Sequence, residues 1–164
     1  MPTIDVAVRR FSVVSLRRFE EIVRSLTATI GHPEMNAFHN AVAAATTVAE
    51  LEAVVHGAIG VSDLMEFTRF DSGEVLRKER GGQGPKMLRL VVGNPLIMKE
   101  MAKAVPDAAS YAPVTILIDE RADGVHLSYD KMESHLLPYG NSDALAVVRN
   151  LDAKITTLLR ECTS

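Results

Sequence analysis

Two short alternating segments joined by a tight turn, residues 114–130, constrain the fold of this chain more than any other feature. Apolar residues take every second position on both sides of the turn: Val114, Ile116 and Ile118 in "VTILIDE", then Val125, Leu127 and Tyr129 in "VHLSYD". His126 and Ser128 fall on the opposite face, and Ala122-Asp123-Gly124 between the segments is typical of a hairpin turn. The pattern therefore predicts an antiparallel pair of strands with one buried face.

The segment 86–101, "KMLRLVVGNPLIMKEM", predicts a strand that runs directly into a capped helix. The Asn94 side chain can accept a hydrogen bond from a free N–H group of the first turn, and Pro95 suits the first helical position because its missing N–H would have no partner there. Gly93 allows the backbone to turn between strand and helix. The same helix start could instead receive an anion or a carboxylate, and the sequence leaves both interpretations open.

Helical periodicity occurs in three other places. Residues 16–31 predict an amphipathic helix after the first strand, and residues 142–160 predict a long terminal helix with a continuous apolar stripe. Residues 33–60 are rich in alanine and predict a pair of helices. Thr47 and Glu50 form a capping box that divides this pair just before Thr47.

A strand pattern occurs in residues 4–14 and in two segments that would form an antiparallel ribbon. Residues 63–71, "DLMEFTRFD", alternate, and residues 74–80, "EVLRKER", would return as a strand after the turn signal Asp71-Ser72-Gly73. "GGQGP" at 81–85 would be a flexible connection, because it lacks the spacing of a phosphate-binding loop. Strands and helices do not alternate one for one, so we predict an α+β two-layer sandwich. It would have a curved, mainly antiparallel sheet with helices packed on one face, plus an inserted helical hairpin.

Composition limits the classes of function. Of 164 residues, 47% are apolar and 24% are charged, so residues 1–164 are expected to form a single domain. The net charge of −3 provides no field that would attract nucleic acid, and no segment has the pattern of a membrane span or a signal peptide. We therefore expect a cytoplasmic protein with no nucleic acid or membrane partner. Cys162 is the only cysteine, which excludes a disulfide within the chain.

The short motifs of common enzymes and metal proteins are missing from the sequence. No HExxH, G-x-S-x-G or CxxC pattern occurs, so we favour a protein that is not an enzyme, we assign it no metal, and we leave the cofactor unassigned. One alternative is an enzyme, or a haem or metal-binding protein, that uses His126 and neighbouring residues such as Asp130 and Glu133. A haem site would draw on Met98 or Met101 together with a histidine.

The second half of the chain resembles the bacterial family known as domain of unknown function 302. The resemblance rests on the strand "LRLVVGNP", the helix "LIMKEMAKAVPDA", the strand "APVTILIDE" and the hairpin "RADGVHLSYD", which a terminal helix follows. It covers residues 87–159, together with the first strand and helix at residues 6–30. It implies a compact α+β fold, in which a curved antiparallel sheet supports helices on one side, and it implies a homodimer. It implies no activity, cofactor or catalytic residue. The helices at 33–60 are interpreted as an insertion.

The first hypothesis for function is a dimeric protein that binds a small apolar or amphipathic ligand between its sheet and its helices. The candidate ligand-binding residues lie at the strand-to-helix turn, before the proline-led strand and on the hairpin: Asn94, Met98, Tyr111, His126 and Tyr129. Another hypothesis is a structural module for protein–protein interaction. In that case the helical pair at 33–60 would expose apolar surface to a partner.

Overall fold

A computed structural model describes residues 3–164, and within this range five strands form one open antiparallel sheet. The strands are β1 (Arg10–Ser15), β2 (Met65–Asp71), β3 (Met87–Gly93), β4 (Val114–Arg121) and β5 (Gly124–Asp130). Their spatial order is β1-β5-β4-β3-β2, and every neighbouring pair is antiparallel. The predicted hairpin is confirmed, because β4 and β5 pair from Ile116 opposite Tyr129 to Arg121 opposite Gly124.

Seven α-helices accompany the sheet in the described part of the chain. They are α1 (Phe19–Thr27), α2 (Met35–Ala44), α3 (Val48–Ala58), α4 (Ser72–Glu79), α5 (Pro95–Ala104), α6 (Glu133–Leu136) and α7 (Ser142–Thr163). Short 3-10 turns lie at Pro106–Ser110 and Leu137–Tyr139. None of the helices described is both long enough and apolar enough to cross a bilayer.

One face of the sheet is buried beneath α1, α5 and α7. The strand side chains on this face are the alternating apolar residues: Leu88, Leu90, Val92, Val114, Ile116, Ile118, Val125, Leu127 and Tyr129. The helices contribute Ile22 and Leu26 of α1, Met101 of α5, and Val148, Leu151 and Ile155 of α7. The predicted sandwich is confirmed, because period-two strands and period-3.6 helices bury matching apolar faces against each other.

Among the described residues no comparable helical layer covers the other side of the sheet, which we call the open face. One row of side chains crosses it from β2 to β1, each paired with the next: Phe70, Arg89, Leu117, Ser128 and Ser12. Phe70, Arg89 and Ser12 are exposed, and the central two are half-buried. An antiparallel sheet tolerates such a face because its alternate residues are polar.

The helical pair α2–α3 forms a second, smaller apolar cluster with the start of β2. Phe38, Val55, Ala58 and Met65 are buried in it, and Phe67 and Leu96 pack against it. The predicted division is confirmed, because Thr47 Oγ1 accepts from the Glu50 N–H while the Glu50 carboxylate accepts from the Thr47 N–H.

The helical pair is joined to the rest of the molecule at two glycines. The N–H groups of Gly31 and Gly60 both donate to the Leu64 carbonyl oxygen, at 2.8 and 2.9 Å. A Cβ on Gly31 would lie 1.9 Å from the carbonyl oxygen of Ala58. Only glycine allows the backbones to approach so closely.

One predicted strand is shorter than expected, and another is wrong. The first strand begins at Arg10 rather than residue 4, because its partner β5 ends at Asp130, opposite Arg10. Residues 72–79 form α4 instead of a returning strand. There Asp71 acts as a helix cap, with Oδ1 accepting from the Glu74 N–H at 2.9 Å and Oδ2 from Arg77. The alternation in this segment involves mainly charged residues, so no apolar strand face competes with the cap. Residues 81–85 consequently connect a helix to β3.

Candidate functional site

An apolar pocket lies where the helical pair faces the strand-to-helix turn. Its volume is about 200 Å³. The lining comes from five parts of the chain: Phe38, His39 and Val42 of α2, Leu51 of α3, Phe67 of β2, Asn94, Pro95 and Met98 at the start of α5, and Ala112 and Pro113 on the approach to β4. We call this cavity the apolar pocket. Most of the lining side chains are hydrocarbon, so it favours apolar ligand groups.

Asn94 lines the apolar pocket, and each of its two polar side-chain atoms already has a hydrogen-bond partner. Its Oδ1 accepts from the Leu96 N–H at 2.9 Å, and its Nδ2 donates to the Asp63 carbonyl oxygen at 2.9 Å. The capping interpretation of Gly93-Asn94-Pro95 is thus confirmed. Because the cap already accepts from the first turn, Asn94 contributes shape to the apolar pocket rather than a vacant polar group.

Met98 lies one helical turn after Asn94 and lines the same cavity. Its side chain is half-buried and also packs against the main core. A thioether on a flexible stem adapts easily to the shape of an apolar ligand. His39 lies at the exposed rim, where its ring packs 6.1 Å from that of Phe38. The structure therefore brings two of the five predicted ligand-binding residues together.

Tyr111 lies on the other side of Pro113, outside the apolar pocket. Its ring stacks on the imidazole of His135, with centroids 4.7 Å apart and an interplanar angle of 16°. Its hydroxyl lies 3.5 Å from that of Tyr139. Tyr111 and Pro113 line a separate cavity on the open face. Two cavities thus share the wall formed by Pro113.

Tyr129 is a core residue. Its hydroxyl donates to Asp152 Oδ1 at 2.5 Å, and the Asp152 carboxylate also accepts from the N–H groups of Met132 and Glu133. Burial, followed by the nearby Asp152 charge, raises the pKa of Tyr129 well above its usual range. With 1% of its surface exposed, Tyr129 has no access to a ligand. Its role is to connect β5, α6 and α7.

His126 lies on the open face, close to the hairpin turn. Its Nε2 is 2.8 Å from Asp123 Oδ1, and this hydrogen bond lowers the pKa of the Asp123 carboxyl. Its cross-strand partner Asp119 is buried and accepts from Arg121 Nε at 2.5 Å. His126 thus has an acidic partner, as an acid–base site would require, but it lines neither the apolar pocket nor the cavity beside Tyr111.

The other acidic neighbours of His126 in sequence are held by arginines. Asp130 accepts from Arg10, and Glu133 accepts from Arg149 Nε at 2.7 Å. Within residues 3–164, no three histidine, cysteine, aspartate or glutamate side chains lie close enough together to hold a metal ion.

Sequence reasoning missed most of the pocket lining, above all Phe38, Val42, Leu51 and Phe67. Their apolar character in the helical pair and in β2 was visible. Their common orientation depends on how the helical pair packs onto the sheet, which no local pattern encodes.

Comparisons with known proteins place the chain among proteins of one family. The family model described as "Domain of unknown function DUF302" matches residues 40–162, a range that begins within α2 and includes α3. Residues 6–30, for which the sequence also suggested a resemblance, fall outside it. The crystal structure of an uncharacterized conserved protein DUF302 from Bacillus stearothermophilus superposes with a TM-score of 0.64 at 12% sequence identity, covering 93% of this chain and 97% of that one. No curated protein matches the sequence significantly.

Proposed function

Since the chain belongs to the DUF302 family, which implies a fold and no activity, we propose a function from the geometry of the site: the protein binds a small apolar or amphipathic molecule. The observation that carries this proposal is the apolar pocket between the helical pair and the start of α5. It supports ligand binding because it is concave, mostly apolar and bounded by several elements.

The volume of the apolar pocket sets the size of the ligand. An apolar cavity of about 150 Å³ is large enough to bind benzene, and the apolar pocket measures about 200 Å³. This suits a single ring with a short substituent, or a short acyl chain. Larger ligands would have to extend past the rim. There His39 is exposed and offers one polar ring to a ligand head group.

The experiment uses methionine methyl groups as local reporters. Toluene is titrated into protein labelled with 13C at the methionine methyls, and the Met98 signal should shift in a saturable way. The Met101 signal is the internal control, because Met101 is buried in the main core on the same helix. Native mass spectrometry of the freshly purified protein would in parallel detect any bound molecule.

A matched pair of substitutions tests the location of binding. Val42→Phe would fill part of the apolar pocket and should abolish the Met98 shift. Val48→Phe adds the same ring at an exposed position on α3 and should leave it unchanged. If toluene shifts no signal, or if both variants bind equally, the apolar pocket is not a ligand site.

We also propose that the protein is a homodimer, as the resemblance implies, with β1 at the interface. No described strand pairs with the outer edge of β1, and Arg10 is its single charged residue. The opposite edge strand, β2, carries several charges and a register shift, which discourage pairing. Light scattering should give twice the chain mass. Val14→Lys, on β1, should lower the mass measured by light scattering. Val75→Lys places the same charge at an exposed position on α4 and should leave this mass unchanged. A monomeric mass for the unmodified protein would refute this proposal.

The cytoplasmic location stays a prediction, which cell fractionation would test.

A further inference from the structure

The open face of the sheet carries a cavity of about 400 Å³ that the proposed function does not use. We call it the open-face cleft. Thr115 and Leu117 of β4 and Ser128 of β5 form its floor. Arg89 on β3 and Arg10 on β1 flank this floor, because β3 and β1 are the next strands on either side. The cleft therefore places two guanidinium groups around side chains that carry hydroxyls.

The guanidinium of Arg89 is largely without protein acceptors. Among the ion pairs within residues 3–164 none involves Arg89. Its hydrogen bond is a long one, from Nη2 to Thr115 Oγ1 at 3.3 Å. Its Cζ also lies 5.6 Å from the centroid of the Phe70 ring. An arginine side chain has five N–H donors in a planar fork. Most of those of Arg89 remain available to a ligand.

Arg10 is in the opposite situation. It forms a bidentate pair with Asp130, with Nε to Oδ1 at 2.6 Å and Nη2 to Oδ2 at 2.9 Å. This pairing neutralises the one carboxylate that lines the cleft. An incoming anion is therefore not repelled by an uncompensated charge, and the net formal charge of the lining is positive.

One wall of the cleft is rigid and can donate hydrogen bonds. It is formed by the stacked rings of Tyr111 and His135, with Ser110 beside them. His135 lies on α6, whose start is held by the buried Asp152 carboxylate. A wall fixed in this way reduces the entropy lost when a polar ligand binds.

We propose that the open-face cleft binds a small polar molecule through an oxyanion group, a carboxylate or a phosphate. Arg89 makes the direct contact, since its planar fork matches the two oxygens of such a group. Ser128 and Thr115 orient the group from the floor. This site is independent of the apolar pocket, because Pro113 is the one residue that lines both.

The test follows backbone 15N–1H signals of the full chain during titration with inorganic phosphate and, separately, with succinate. Sodium chloride at matched ionic strength controls for screening. We expect saturable shifts confined to β3, β4 and β5 around the cleft. Saturation by phosphate alone identifies a phosphate site, and saturation by succinate alone identifies a carboxylate site. If neither probe gives saturable shifts, or if chloride reproduces them, the proposal is overturned.

Variants then assign the site to Arg89. Arg89→Gln should weaken binding of the effective probe by about tenfold or more, the usual loss for a charge-assisted hydrogen bond. Arg80→Gln is the matched control, because it removes the same charge at an exposed position outside the cleft. Ser128→Ala, a smaller change in the floor, should weaken binding less. Equal weakening by Arg89→Gln and Arg80→Gln would show attraction by overall charge and would overturn the proposal. Shifts on addition of toluene at Met98 should be the same in all three variants.

Discussion

Replacing Asp152 with alanine tests whether one buried carboxylate holds three elements together. Its side chain accepts hydrogen bonds from the Tyr129 hydroxyl at 2.5 Å, the Met132 N–H at 3.0 Å and the Glu133 N–H at 3.1 Å. Asp152→Ala would leave these donors with poorer partners or none. A buried donor without a partner costs about 1–3 kcal/mol. The Tyr129 oxygen, 3.3 Å from the Met132 N–H, would offset part of this loss. We therefore expect the free energy of unfolding to fall by about 3–5 kcal/mol.

Urea denaturation followed by circular dichroism measures this loss. In a thermal melt, the same loss should lower the melting temperature by about 6–20 °C, given about 2–4 °C per kcal/mol for a chain of this size. Asp152→Asn is the matched control: its amide oxygen still accepts from the backbone, so it should lose about 1–2 kcal/mol. A double-mutant cycle with Tyr129→Phe should show a coupling of about 0.5–3 kcal/mol. A loss below about 1 kcal/mol for Asp152→Ala would refute the reasoning that these bonds hold α6 in place.

Three further predictions concern packing and ionisation. Gly31→Ala should cost at least about 2 kcal/mol of unfolding free energy, because its Cβ would meet the Ala58 carbonyl oxygen at 1.9 Å. The control Gly57→Ala, with nothing within 4 Å, should instead stabilise α3 by about 0.5–1 kcal/mol, and thermal melts would separate the two. The raised pKa of Tyr129 favours the protonated hydroxyl in the folded state. The contribution of Tyr129 to folding stability is therefore complete below the pKa of tyrosine in the unfolded chain, about 10, and is lost as pH rises above that value. Above about pH 10 the free energy of unfolding should fall less steeply with pH for Tyr129→Phe than for the unmodified protein. Burial raises the pKa of the Cys162 thiol to about 11, so iodoacetamide at about pH 8 should label it much more slowly in the native protein than in urea. Equal labelling rates would contradict its burial.

Local sequence patterns predicted correctly those elements whose structure is set by residues close together in the chain. The hairpin β4–β5 alternates with period two, and the helix α5 begins with an asparagine cap and a proline. The division of α2 from α3 follows from the capping box of Thr47 and Glu50. Period-two alternation, the asparagine cap and the capping box each depend on residues at most four positions apart, so the sequence encodes them directly.

Segments in which two local signals compete were predicted less well. Aspartate is common both in turns and at helix N-caps, so Asp71 is compatible with either. The charged residues after Asp71 are compatible with a surface strand as well as with the helix observed there. The extent of β1 depends on where β5 ends, far away in the chain. Such outcomes are decided by partners distant in sequence, which a short window does not contain.

The same distinction between local and long-range interactions applies to the candidate site. Sequence alone placed Asn94 and Met98 four residues apart at the start of one helix, and it placed Tyr129 on the same strand face as Val125 and Leu127. It also offered Tyr129 as a ligand-binding residue, and only the structure showed that its side chain is 1% exposed and closed off within the core. Only the tertiary structure decided that the helical pair faces Asn94 across the apolar pocket, and that Arg89 and Arg10 flank a common cleft. The physical reason is distance along the chain: periodicity and capping act over a single turn, whereas a pocket is formed by packing between elements that any number of residues can separate.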